Sequence, residues 1–122
     1  MIYVDRINWI SHESKDAILT LINDKNCILN CFCSPCENII SGEFKETLYA
    51  LNQSNTYIVY DNKEESIEIQ HDKIAHCIVA KVTNINEKSV IANGFEIILE
   101  YLPGDVSNGD IICFFCSRID SY

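Results

Sequence analysis

The chain has 122 residues, of which 48% are hydrophobic and 10% aromatic, a composition typical of one globular domain rather than of a disordered segment. Eighteen Asp and Glu against nine Lys and Arg give a net charge of -9, which repels nucleic-acid phosphates and anionic membrane surfaces. We therefore expect a single domain, residues 1–122, that binds neither nucleic acid directly nor a membrane.

The first ten residues, MIYVDRINWI, lack the basic start, long apolar run and small-residue cleavage site of a secretion signal. No stretch approaches the eighteen consecutive apolar residues that indicate a membrane-spanning helix. The seven cysteines are an odd number, which fits reduced thiols better than a disulfide framework. We expect a cytoplasmic protein.

The first predicted hairpin joins residues 16–22 to residues 27–33. The two apolar segments flank the polar tetrad at 23–26, which is typical of a short hairpin loop. A helix over Ser14 to Asn23 is the competing interpretation, because Ser14 could cap it. We prefer the hairpin.

The middle of the chain predicts three further short strands. FKETLYAL is read as one strand and NTYIVY as the next, and SIEI follows after the polar stretch DNKEE.

The C-terminal half predicts four strands, in KIAHCIVAKVTNI, KSVIAN, FEIILEYL and GDIICFFCSRI. Their joins are Asn86-Glu87, Asn93-Gly94 and the loop LPGDVSNG. Asn93-Gly94 is a candidate for a type I′ turn, since both residues tolerate positive φ. Many short strands with little helix predict a mainly β fold, either a small β-barrel or a sandwich.

The last of these strands has two apolar faces. One face carries Ile111, Cys113 and Phe115, and the other carries Ile112, Phe114 and Cys116. A strand that is apolar on both faces is typically buried on both sides. We expect it to be central in the sheet rather than an edge.

Three cysteines cluster in NCFCSPCEN, with the spacing C-x-C-x₂-C: Cys31, Cys33 and Cys36. Zinc usually takes four Cys or His ligands in a tetrahedron, so these three would need a fourth. The candidates for that fourth ligand are Cys27, His71, His76 and Cys77. The cluster is the fallback metal site of this chain.

Two other interpretations of the cluster stay open. Cys27, Leu29, Cys31 and Cys33 alternate onto one strand face, where cysteine packs as a small hydrophobe. A redox pair of Cys33 and Cys36 needs a helix directly after it, and the following ENIISGEF breaks at Gly42. We favour core packing and predict no resident metal or other cofactor.

The sequence offers no catalytic constellation. Nucleophile elbow, phosphate-binding loop, H-E-x-x-H and dinucleotide fingerprints do not occur. His76 and Cys77 are neighbours, and neighbours in a strand point to opposite faces, so they are unsuited to act as base and nucleophile. We expect a protein that is not an enzyme.

Acidic residues concentrate between residues 61 and 72. Five carboxylates lie there: Asp61, Glu64, Glu65, Glu68 and Asp72. The simplest interpretation is a solvated loop. The alternative is an interface for a basic protein, steered by these charges and anchored by the neighbouring Tyr57 and Tyr60.

From Lys81 to Asp120 the order AKVTNI, VIANGFEIILE, LPGD and GDIICFFCSRID resembles the strand, hairpin and closing strand of OB or SH3-like barrels. Such barrels often bind nucleic acid. These strands lack the basic and exposed aromatic pattern that binding of single strands requires. An OB-like nucleic-acid binder therefore stays an alternative, together with an accessory domain that binds a metal or small ligand through its cysteines.

Across most of its length the chain also resembles the small acidic bacterial immunity proteins of polymorphic-toxin systems, including the contact-dependent growth inhibition type. The resemblance rests on the CFCSPC hairpin, the SGEF and KETLYAL segment and LPGD…CSRID, together with size and charge. It implies a cytoplasmic protein that binds a basic, nuclease-like toxin and occludes its active site. The oligomeric state is left open.

Overall fold

The computed structural model describes residues 1–37, 42–61 and 63–121, and these residues form nine strands and no helix. The strands are β1 (Ile2–Ser11), β2 (Asp16–Asn23), β3 (Ile28–Cys33), β4 (Leu48–Val59), β5 (Ser66–Ile69), β6 (His76–Asn84), β7 (Ser89–Ala92), β8 (Phe95–Ile98) and β9 (Ile111–Ser121). The mainly β prediction is confirmed. Within the described residues, no helix has the length and hydropathy needed to cross a membrane.

Five of the strands close into a barrel in the order β9, β4, β8, β7, β6. The closing pair is β6 with β9, antiparallel from His76 opposite Cys116 to Lys81 opposite Ile111. Strand β5 extends the sheet beyond β6, and β4 pairs with β8 in the parallel sense. Of the two predicted architectures, the barrel is the one observed.

Strand β9 is central, as its two apolar faces predict. It pairs with β4 along one edge and with β6 along the other, and a single parallel bridge joins Phe32 of β3 to Asp120. Its inward residues Ile112, Phe114 and Cys116 are at most 1% exposed.

The predicted hairpin of residues 16–33 is confirmed, with β2 and β3 antiparallel from Ala17 opposite Cys33 to Ile22 opposite Ile28. The competing helix over Ser14 to Asn23 is wrong, because the fully buried residues of this segment recur every second position, the period of a strand. The sequence prediction missed β1, which pairs with β2 and has bulges that break its alternation.

Strand β4 was predicted as two strands but runs unbroken from Leu48 to Val59. Asn52 lies between the two predicted pieces and Asn55 begins the second, and their φ angles are +52° and +51°. Asparagine tolerates this left-handed conformation, so the chain makes a local irregularity within the strand instead of a turn.

The turn between β7 and β8 has the predicted type I′ character, with φ of +48° at Asn93 and +92° at Gly94. Asn23, at the end of β2, donates a hydrogen bond from Nδ2 to the carbonyl of Asn93 over 2.6 Å. This bond fastens the three-stranded meander β1–β3 to the barrel.

Candidate protein-binding face

The barrel exposes an apolar surface where β5, β6, β9 and β4 lie side by side. On β6 and β9 the inward residues Ile78, Ala80, Ile112 and Phe114 are at most 1% exposed, so the residues between them point outward. Seven outward side chains on β4, β6 and β9 form what we call the apolar outer face, with the exposed Lys81 at its edge opposite Ile111: Tyr57, Val59, Cys77, Val79, Ile111, Cys113 and Phe115.

This face is separate from the hydrophobic core. Its seven members neither belong to the buried core cluster nor pack against it. Val79 is nearly buried at 4% exposure, whereas Tyr57 is 53% exposed and the other five are half-buried. The outward side of an antiparallel sheet in a monomer is usually polar, so this apolar surface is a candidate interaction site.

Tyr57 is the most exposed member of the apolar outer face. It lies opposite Cys113 in the register of β4 and β9, and its phenol shares a hydrogen bond with the Cys113 thiol. That hydrogen bond, with smaller contributions from the charges of Cys113 and Asp61, raises the pKa of Tyr57.

Three exposed carboxylates lie near the apolar outer face, and we call them the acidic margin: Asp61, Glu64 and Glu68. Glu68 of β5 lies opposite Cys77 of β6, and after burial its charge is the next largest cause that raises the pKa of the Cys77 thiol. Within the part of the chain that the structure describes, the three carboxylates form no salt bridge and accept no hydrogen bond.

Two of the predicted interface carboxylates accept hydrogen bonds from the backbone. Glu65 accepts a hydrogen bond at Oε1 from the backbone N–H of Asn93 over 2.9 Å. Asp72 accepts two at Oδ1, from Ala75 and Ile74 at 2.9 and 2.8 Å, and these bonds lower the pKa of its carboxyl group. Asp72 therefore stabilises its own local turn, whereas Glu65 stabilises the turn between β7 and β8, 28 positions away.

The structure thus brings Tyr57, Asp61 and Glu68 together around one surface, with Tyr60 87% exposed beside Asp61 at the end of β4. Six members of the apolar outer face were not predicted from the sequence: Val59, Cys77, Val79, Ile111, Cys113 and Phe115. The sequence did contain a sign of this surface, because β9 is apolar on both faces. That pattern was interpreted as burial, and only the closed barrel shows that one of the two faces is the outside.

The cysteine cluster is part of the core, as the alternation of β3 predicts. Cys31, Cys33 and Cys36 are 1%, 5% and 6% exposed, and the backbone N–H of Cys36 donates to the carbonyl of Lys15 over 2.6 Å. Burial raises the pKa of both Cys31 and Cys36 to about 12, so these thiols keep their protons at neutral pH.

Neither metal nor redox chemistry finds support in this geometry. Zinc binds thiolates, and no group of three potential ligands with suitable geometry occurs among the described residues. A reactive redox thiol is partly exposed, whereas Cys33 and Cys36 are both buried. The prediction that no long helix follows Cys36 concerns the segment ENIISGEF, which lies partly outside the described residues.

His76 is a structural residue. Its imidazole is fully buried, and Nε2 accepts a hydrogen bond from the backbone N–H of Asn30 over 3.2 Å. Burial lowers the pKa of His76 to about 4, so the ring is neutral at physiological pH. Cys77 points to the opposite, outer side of β6, and the two side chains do not form a catalytic pair.

Comparisons of the chain with protein-family models, with curated proteins and with solved structures found no match.

Proposed function

We propose that this protein binds and neutralises a basic protein toxin in the cytoplasm of a bacterial cell, as immunity proteins do. The observation that carries the proposal is the apolar outer face with the acidic margin beside it. An exposed apolar surface supplies binding energy when a partner covers it, and unpaired carboxylates at its border select a partner with positive charge.

The two components have different physical roles. The net charge of -9 and the acidic margin attract a basic protein over several ångströms and raise the rate of association. Aromatic residues such as Tyr57 and Phe115, once desolvated at the centre of an interface, are typical anchors that slow dissociation. Salt is therefore expected to slow association while leaving dissociation almost unchanged.

Occlusion is the simplest inhibitory mechanism for a nuclease-like toxin. A nuclease holds phosphates with Lys and Arg side chains, and these cations are the natural complement of the acidic margin. A protein that covers these cations excludes nucleic acid from the nuclease without catalysing any reaction. This mechanism agrees with the expectation that the chain is not an enzyme. The acidic border also argues against the alternative of an OB-like nucleic-acid binder.

Co-expression with the basic toxin encoded immediately upstream tests the proposal. Wild-type protein is expected to protect the cells and to co-purify with the toxin, whereas Phe115→Ser and Glu68→Lys are expected to lose both properties. Glu13→Lys, the same charge reversal on the loop between β1 and β2, is the matched control and is expected to protect.

Each variant is first checked for an unchanged melting temperature, so that loss of protection is not loss of fold. The proposal fails if wild-type protein neither protects nor co-purifies, or if both face variants protect as well as wild type.

A further inference from the structure

The chain contains two Asn-Gly pairs, Asn93-Gly94 and Asn108-Gly109. Asparagine is a chemically labile residue, because the backbone nitrogen of the next residue can attack its side-chain amide. A glycine in that next position has no side chain to hinder the attack and lets the backbone rotate. Both pairs therefore have the same covalent capacity for deamidation, and their surroundings in the fold decide which of them reacts.

The Asn108-Gly109 pair is held by hydrogen bonds on both reacting groups. The side-chain Oδ1 of Asn108 accepts from the backbone N–H of Ile85 over 3.0 Å. The backbone N–H of Gly109, whose nitrogen would be the nucleophile, donates to the carbonyl of Val82 over 2.8 Å. The carbonyl of Asp110 accepts from the N–H of Val82 over 2.9 Å, so the chain directly after the pair is also fastened to β6. Attack at Asn108 requires the bonds on its two reacting groups to open first.

The Asn93-Gly94 pair is free at both reacting groups. Among the residues that the structure describes, neither the Asn93 side chain nor the Gly94 N–H has a hydrogen-bond partner. Gly94 is exposed, and the half-buried Asn93 lines a surface cavity that is open to solvent, so water reaches the amide. The restraint on this pair lies on the carbonyl of Asn93, which accepts the bond from Nδ2 of Asn23 over 2.6 Å.

We propose that Asn93 is a site of spontaneous deamidation and that the fold protects Asn108 from the same reaction. Solvent hydroxide removes the amide proton of Gly94, and the nitrogen attacks Cγ of Asn93 to form a new C–N bond. The bond from Cγ to Nδ2 breaks, and the leaving nitrogen takes a proton from water, which releases ammonia and regenerates hydroxide. Water then hydrolyses the cyclic imide. Cleavage between Cγ and the nitrogen gives aspartate, whereas cleavage at the main-chain carbonyl gives isoaspartate, in which the chain runs through the side-chain carbonyl.

The isoaspartate product loosens the fastening of the meander β1–β3 to the barrel. It adds one methylene to the backbone of a two-residue turn, whose type I′ geometry depends on that length. The carbonyl that accepts from Asn23 and the N–H that donates to Glu65 are then displaced from these partners. This consequence does not depend on whether the protein binds a toxin.

The test incubates the full chain in mildly alkaline buffer made with heavy-oxygen water and locates the label by peptide mass spectrometry. Hydrolysis of the imide places heavy oxygen in the product, so the label reports deamidation that occurs during the incubation. In the native protein, Asn93 is expected to gain label about fivefold faster than Asn108, the ratio that corresponds to about 1 kcal/mol of additional hydrogen bonding at Asn108. In urea the two rates are expected to converge, because both sites are Asn-Gly pairs.

Asn23→Asp isolates the restraint on the turn. A carboxylate at this position still accepts from the N–H groups of Lys25 and Cys27, as the Asn23 amide oxygen does, but it cannot donate to the Asn93 carbonyl. Labelling of Asn93 is expected to accelerate about fivefold for the loss of this one hydrogen bond, and labelling of Asn108 is expected to stay as in wild type.

Asn26→Asp is the matched control, because it makes the same substitution at an exposed residue of the same loop that forms no hydrogen bond with Asn93. Its two rates are expected to equal those of wild type. Equal labelling of Asn93 and Asn108 in the native chain overturns the proposal. Labelling of neither site, during an incubation that labels both in urea, also overturns it.

The consequence for the fold has its own measurement. Ion exchange separates the modified chains by their additional negative charge, and the fraction that carries isoaspartate at position 93 is expected to melt at a lower temperature than the unmodified chain. Equal melting temperatures of the two fractions would overturn the loosening of the meander.

Discussion

The backbone N–H of Asn30 donates a hydrogen bond to Nε2 of the fully buried His76, across 46 positions of the chain. Because Nε2 accepts, the proton of the neutral ring sits on Nδ1. Nδ1 has no hydrogen-bond partner among the described residues. The nearby backbone of Ile74 raises the pKa of His76, but burial lowers it by more. This single contact joins β3 of the meander to the first residue of β6.

Acid is therefore expected to destabilise the protein through His76. The pKa of His76 falls from its ordinary 6.5 to about 4 in the folded protein, so protonation favours the unfolded chain. The stabilisation is complete above pH 6.5 and is lost as the pH falls towards 4, by about 3 kcal/mol in total. Urea unfolding at several pH values measures this pH-dependent loss of unfolding free energy.

His76→Gln keeps an acceptor for the Asn30 N–H but cannot titrate. The slope of unfolding free energy against pH between 6.5 and 4 is expected to be smaller in this variant. His71→Gln, at an exposed loop position, serves as the control and is expected to keep the wild-type slope. An unchanged slope in His76→Gln contradicts the assignment.

Gly94→Ala is expected to destabilise the fold by about 1–3 kcal/mol, the usual cost of forcing a side chain into unfavourable backbone geometry. Gly94 has a φ of +92°, and a Cβ there would lie 2.8 Å from Nδ2 of Asn23. The clash would disturb the hydrogen bond from Asn23 to Asn93. Thermal unfolding measures the loss of stability. Gly104→Ala is the control, because no atom lies within 4 Å of the added Cβ. Its unfolding free energy is expected to change by less than about 0.5 kcal/mol.

Adjacent glutamates are expected to separate stability from binding. Glu65→Ala removes the acceptor of the Asn93 N–H and is expected to lower the unfolding free energy by about 1–2 kcal/mol. Glu64→Ala leaves no backbone group unpaired, so we expect unchanged stability and slower association with the basic partner. Denaturation and stopped-flow binding distinguish the two. Equal loss of stability in both variants would show that the hydrogen bond to Asn93 does not matter.

Thiol labelling is expected to follow burial. Cys27, Cys77 and Cys113 are partly exposed, whereas Cys31, Cys33, Cys36 and Cys116 are buried. Burial also raises the pKa of Cys116 to about 12, which keeps its thiol protonated. In the native protein, iodoacetamide should modify the three partly exposed cysteines first, and peptide mass spectrometry identifies them. Early modification of Cys31 or Cys36 would refute the assignment of the cluster to the core.

Local patterns in the sequence predicted much of the fold. The hairpin of residues 16–33, the type I′ turn at Asn93-Gly94 and the central position of the last strand all follow from side-chain period and turn chemistry. The errors arose where that local pattern was ambiguous. Asn52 and Asn55 resemble a turn, yet β4 continues beyond them with a local irregularity, because the residues on either side pair with β9.

The candidate site was predicted less completely than the fold. Acidic residues adjacent in sequence have unrelated roles, since Glu64 lies on the surface while Glu65 holds the backbone of Asn93, 28 positions away. Sequence spacing contains no information about such a partner, because the contact exists only after the barrel has closed.

By itself, the sequence determined a mainly β domain, a core position for the cysteines of β3 and an acidic surface, because period, turn residues and charge are local properties of the chain. Only the tertiary structure decided which side of each strand became the outside of the barrel. Closure of β6 onto β9 turned Ile112 and Phe114 inward and left Cys113 and Phe115 outside beside Tyr57. That choice depends on long-range pairing, and it created the apolar outer face.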